Sequence, residues 1–132
     1  MGSDSWHSWA KWKKDLKTTL REAQKVALEE QGYDSVEEAL EATEADGTAS
    51  VIDIGQFSKE PEPAACWQLS AAQLEETFGT STPTRAQIEE NVDELAEELG
   101  RGESLCVVAY AKSKKTQKLE PVEVLFSGWS FD

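Results

Sequence analysis

A chain of 132 residues and 14.6 kDa has room for one domain, so every functional residue shares a single core. Leu, Ile, Val and Phe make up only 26 positions and the net charge is −13, a composition close to that of disordered chains; five Trp and clear apolar periodicity predict a folded domain with a lean core instead. The longest apolar stretch without a charge, Ser104 to Ala111, is far short of the ~20 residues of a membrane span, so no membrane association is expected.

From Ser5 to Gln31, Trp9, Trp12, Leu16, Leu20, Ala23 and Ala27 recur at three- and four-residue steps between basic residues. This spacing predicts a long N-terminal amphipathic helix ending at Gly32. Ser35-Val-Glu-Glu38 reads as a capping box opening a short second helix that fades over Thr43 to Gly47. Thr48 to Phe57 is β-branched and apolar, and with Cys66 to Leu69 beyond a Pro-bearing turn it predicts a first hairpin. Ser70 and Gln73 form a second capping box for a helix closed by Gly79, and a fourth helix follows Thr82-Pro83 and runs to Leu99. Ser104 to Lys112 and Pro121 to Phe131, joined by the basic loop Lys112 to Lys118, predict a second hairpin. Leu105 to Tyr110 does not alternate in polarity, the mark of a central strand covered on both faces. The expected fold is α+β: one layered domain over residues 1–132, with about four antiparallel strands in two hairpins and three to four helices.

Catalytic equipment is sparse. The one histidine, His7, stands near the N-terminus and is expected to be dispensable, and Cys66, Cys106 and His7 show no zinc-ligand spacing. Neither GxxxxGK[ST] nor GxGxxG occurs, so no phosphate-cradling loop and no cofactor is predicted. Asp53, inside Val51-Ile-Asp-Ile54, is the best single candidate for an acid of raised pKa and anchors one alternative, a small carboxylate-based enzyme or ligand-binding domain. Its plainer reading is an edge residue facing water or capping an amide. The thiols, forty positions apart without a CxxC, fit a reducing compartment; with no basic and apolar leader in Met-Gly-Ser-Asp-Ser-Trp, the expected location is the cytoplasm.

Charge is unevenly distributed: residues 1–25 carry +3, residues 26–100 carry −17 and residues 101–132 carry +1. The acidic middle opposes direct nucleic-acid binding and steers basic partners. Its sharpest feature is a series of carboxylate doublets, Glu89 and Glu90, Asp93 and Glu94, Glu97 and Glu98, beside an apolar stripe of Ile88, Val92, Leu95 and Leu99. Four-residue steps rise about 6 Å on a helix, near one phosphate-to-phosphate interval, so the doublets form a ladder able to imitate a polyanion. A solvated helix face has the same appearance, yet such a face normally mixes charges of both signs. Glu29, Glu30, Glu37, Glu38, Glu41, Glu44, Glu75 and Glu76 repeat the theme.

Trp6, Trp9 and Trp12 beside lysines suit either a core stripe or a docking helix, the basis of a second alternative, an auxiliary subunit. Trp129 and Phe131 are read either as core closure or as a partner anchor. Taken together the residues resemble the class of small acidic inhibitors, immunity and anti-defence proteins, a likeness of composition without a shared motif. It implies a non-catalytic module that engages a basic protein, such as a nuclease or another nucleic-acid-handling enzyme, through Glu89, Glu90, Asp93, Glu94, Glu97 and Glu98.

Overall fold

The computed structural model describes residues 5–43, 48, 50–100 and 102–129. Five strands form one mixed sheet in the order β1-β5-β4-β3-β2: β1 is Ser5–Lys11, β2 Gln56–Ser58, β3 Ala65–Gln68, β4 Ser104–Lys112 and β5 Leu119–Trp129. Four helices accompany them: α1 Leu16–Gln31, α2 Val36–Thr43, α3 Ala71–Phe78 and α4 Arg85–Ala96. The α+β class holds, but the sheet has five strands rather than about four.

The additional strand comes from the predicted first helix. Ser5–Lys11 is extended and pairs antiparallel with β5 over its full length, from Ser5 opposite Trp129 to Lys11 opposite Glu123. The three-residue spacing of Trp6 and Trp9 fits a helix, but on a strand it puts the two rings on opposite faces, and each joins a different core cluster. The helix begins only at Leu16, because Asp15 is extended and its carboxylate accepts the Thr18 backbone N–H at 2.7 Å. It ends as expected at Gly32, whose φ of 80° is the left-handed cap that favours glycine.

The predicted first hairpin is also absent. Val51–Asp53 is a single 3-10 turn, and β2 runs parallel to β3, which in turn runs parallel to β4. Because β2 has only three residues, the return from Ser58 to Ala65 is short enough for a small loop to make a parallel pairing. The second hairpin is present: β4 and β5 pair antiparallel, with a register shift at Ala109 and Tyr110 where Pro121 lies opposite. Phe131 and Glu44 lie outside the described residues.

β4 is the middle strand and is covered on both faces, as its unbroken apolar run predicts. Leu105, Val107 and Ala109 pack with Ile88, Val92 and Leu95 of α4 and Phe78 of α3. On the other face Cys106 packs with Cys66, Phe126, Trp6, Leu20 of α1, and Val51 and Ile54. Gln24 ties α1 to the 3-10 turn, its Nε2 donating to the Val51 and Ile54 carbonyls at 3.1 and 3.0 Å. Gly128 permits the close stacking of β1, β5 and β4: a Cβ there would lie 2.7 Å from the Ser104 Cβ and 2.9 Å from Trp6 Cζ2.

Candidate functional site

The acidic ladder lies on α4 and the turn after it. Thr84 and Gln87 form a full capping box that fixes the helix start, and Ile88, Val92 and Leu95 turn one stripe into the core. That stripe leaves Glu89, Glu90, Asp93, Glu94, Glu97 and Glu98 all exposed. The helix is shorter than predicted, ending at Ala96 rather than Leu99. Glu98 and Leu99 turn back onto the Leu95 and Ala96 carbonyls, each at 3.1 Å, so the last doublet belongs to a tightened turn. The Trp129 indole fixes this end, donating from Nε1 to the Ala96 carbonyl at 2.9 Å. Trp129 thus acts as a helix clamp and is half-buried.

The four-residue period separates the acids into two rows. Glu89, Asp93 and Glu97 continue the row begun by Arg85, and Glu90, Glu94 and Glu98 form the other, whose last two members face α3 across a cleft. Arg85 relieves the first row at its start. Its Nε is 2.9 Å from Glu89, its Nη1 is 2.7 Å from Glu123 of β5, and its guanidinium stands 4.3 Å from the centre of the Trp9 ring. Glu89 and then Glu123 keep the Arg85 pKa above its ordinary value. The Arg85–Glu89 pair is local, whereas the contacts of Arg85 with Glu123 and Trp9 join residues remote in the chain and do not show in the pattern of one segment.

Among the described residues these are the only ion pairs, so Glu90, Asp93, Glu94, Glu97 and Glu98 have no cationic partner. The last turn of α4 has no basic residue either. Carboxylates there sit at the negative end of the helix dipole, the less favourable end for them. Of the other acidic positions that repeat the theme, Glu29, Glu30, Glu37, Glu38, Glu41, Glu75 and Glu76 are exposed as well.

Asp53 differs from its expected setting. It belongs to the 3-10 turn rather than a strand, is buried, and its Oδ1 accepts from the Thr48 backbone N–H at 2.7 Å and the Thr48 hydroxyl at 2.8 Å. This carboxylate closes a loop. His7 Nδ1 is 2.8 Å from Ser127 Oγ across β1 and β5, but Ser127 is 1% exposed, so its hydroxyl is closed to a substrate carbonyl. Cys66 and Cys106 are free, buried thiols, and burial, followed by the neighbouring Cys106, pushes the Cys66 pKa well above its ordinary value.

Among the described residues no group of three or more His, Cys, Asp or Glu is placed to hold a metal ion, and no helix is long and apolar enough to cross a membrane. Trp6 is buried, while Trp9 and Trp12 are partly buried against the two cores; with Ser5–Lys11 a strand, there is no Trp-bearing helix to dock elsewhere. Comparison with protein-family models, with curated proteins and with solved structures finds no match.

Proposed function

We propose that the protein is a non-catalytic binding module that engages a basic protein partner through the exposed carboxylates of α4. The observation carrying this reading is the C-terminal end of that helix and the turn after it, where Asp93, Glu94, Glu97 and Glu98 are exposed, have no cationic partner among the described residues, and gather where the helix dipole is negative. Like charges at four-residue spacing cost roughly 0.2–0.5 kcal/mol per pair, and docking a cationic surface relieves that cost. Salt relieves it less completely, since the screening length near 0.15 M is about 8 Å. A surface normally occupied by phosphates is the natural complement, which makes a nuclease or another nucleic-acid-handling protein the partner class, and inhibition or escort the role. A reducing, cytoplasmic setting suits the two free thiols.

The test is affinity capture from native lysate with the wild-type chain and with the variant D93K/E94K/E97K/E98K, followed by association kinetics on the captured protein. The wild type is expected to retain a basic protein that the variant associates with about tenfold more slowly, or slower still, at low salt, the difference shrinking as salt rises. Equal capture and equal rates would show that the carboxylates serve solubility alone.

A further inference from the structure

We infer that the outer edge of β1 is a docking site for an extended acidic segment of a partner protein, which joins the sheet as an additional strand. β1 ends the sheet, so one side of Ser5–Lys11 has no neighbouring strand. Trp12 donates its backbone N–H to the Val122 carbonyl at 3.0 Å, in the register that sets Lys11 opposite Glu123. Hydrogen-bonded pairs alternate along an antiparallel ladder, so Trp6, Ser8 and Ala10 turn their N–H and C=O groups toward β5 and His7, Trp9 and Lys11 turn theirs outward. Among the described residues no other segment pairs with that outward row.

A groove of about 290 Å³ runs between this edge and α1. Ala10 of β1 with Ala23 and Val26 of α1 give it an apolar wall, and Val26 is 53% exposed, a large apolar side chain left open beside unpaired main chain. The rim is cationic. Lys11 and Lys13 line the groove and Lys14 and Lys17 follow, all exposed and none with an ion-pair partner among the described residues. Glu22 is the one acid of the lining, in a chain whose net charge is −13. Lysines at an open edge turn away strands in general, and an acidic strand is the kind they admit.

The occupant must offer alternating main-chain donors and acceptors, apolar side chains on one face and negative charge beside Lys11 and Lys13. A strand that is β-branched with acids at its N-terminal end supplies all three, because in antiparallel pairing, the more stable kind, that end lies beside Lys11. A nucleic-acid backbone would meet the lysines but brings no row of donors for the outward carbonyls. A second copy is a poor match, since pairing two β1 edges gathers the lysines of both into one contact and joins two chains of −13.

The probe is the acetylated and amidated hexapeptide Glu-Glu-Val-Thr-Val-Thr, titrated into the full chain while backbone amides are followed by NMR. It is expected to shift the His7, Trp9 and Lys11 resonances saturably and to slow their exchange. Its valines then lie opposite Ala10 and Ser8 against α1, and its threonines opposite Trp9 and His7, so N-methylation of both threonines should abolish binding while N-methylation of both valines should leave it within about twofold. Replacing its two acids by Gln should weaken binding roughly two- to fivefold, and K11Q/K13Q should erase that preference while K112Q/K114Q, in the β4–β5 loop, should keep it. Equal loss from the two methylations, or unmoved His7, Trp9 and Lys11 amides, overturns strand addition at this edge. A preference for the acidic peptide that survives K11Q/K13Q overturns its acidic character. Sedimentation of the chain without peptide should give a monomer; a dimer that protects the same amides places a second copy on the edge and overturns the proposal.

Discussion

At the first turn of α4 the chain places its one nearby cation, Arg85, against Trp9, Glu89 and Glu123, so that a strand edge, a helix and the hairpin share one charge. At the last turn and just beyond it, Asp93, Glu94, Glu97 and Glu98 have no cationic partner among the described residues, and the Trp129 indole holds the backbone instead. One helix therefore has an end that is electrostatically complete and an end that is fixed in position but electrostatically unmatched. Rigid placement of unmatched charge is how a binding surface differs from a solvated one, since a preorganised site has less ordering cost left to meet on association.

The largest expected effect removes the support common to both ends. Ile88 is fully buried beneath the ladder, against Leu105 and Val107. Ile88→Ala should destabilise the fold by about 2–5 kcal/mol in chemical denaturation. If it does, the two ends belong to one cooperative unit. A loss below about 1 kcal/mol would mean that α4 is held mainly by its two polar anchors.

A smaller effect is expected at the distal anchor. Trp129→Phe keeps an aromatic ring and deletes the N–H that reaches the Ala96 carbonyl. The loss should be roughly 0.5–1.5 kcal/mol, with amide exchange accelerated over residues 95–99 and unchanged over residues 85–89. Uniform acceleration along the helix would contradict the independence of the two ends.

The same contrast explains what could be read from the chain and what could not. The apolar stripe of α4 and the doubly covered β4 are local patterns, and each appeared in place, although the helix starts two residues after the predicted Thr82-Pro83, at the Thr84 cap. So did the exposure of the six carboxylates, because a buried stripe dictates the opposite face. The N-terminal strand was misread because Trp6 and Trp9 stand at a helical spacing, while on a strand with both faces covered that odd interval sends each ring to a different core. The decisive signal was Asp15, an N-cap with Thr18 three residues later, which sets the helix start beyond the tryptophans. Asp53 was misplaced because its β-branched neighbours outweighed the turn closed by Thr48. The Arg85 cluster and the α3–α4 cleft depend on residues brought together only by the sheet order, which pattern within one segment does not carry.

The mildest expected effect lies at the proximal end and tests whether Arg85 is a structural tie or part of the proposed binding face. Arg85 is half exposed, so its ion pairs with Glu89 and Glu123 are screened by water and individually weak. Its contact with Trp9 adds a cation–π attraction that a neutral amide does not reproduce. Arg85→Gln should therefore lower the melting temperature by roughly a degree or two in low salt, and by less in high salt. In a double-mutant cycle with Glu123→Gln the two losses should fall short of additive, since each removes the same bridge. For binding the sign reverses: losing the cation makes this end more negative, so association with a basic partner should quicken slightly. A slower association in Arg85→Gln would place the guanidinium in the interface and extend the binding face to both ends of α4.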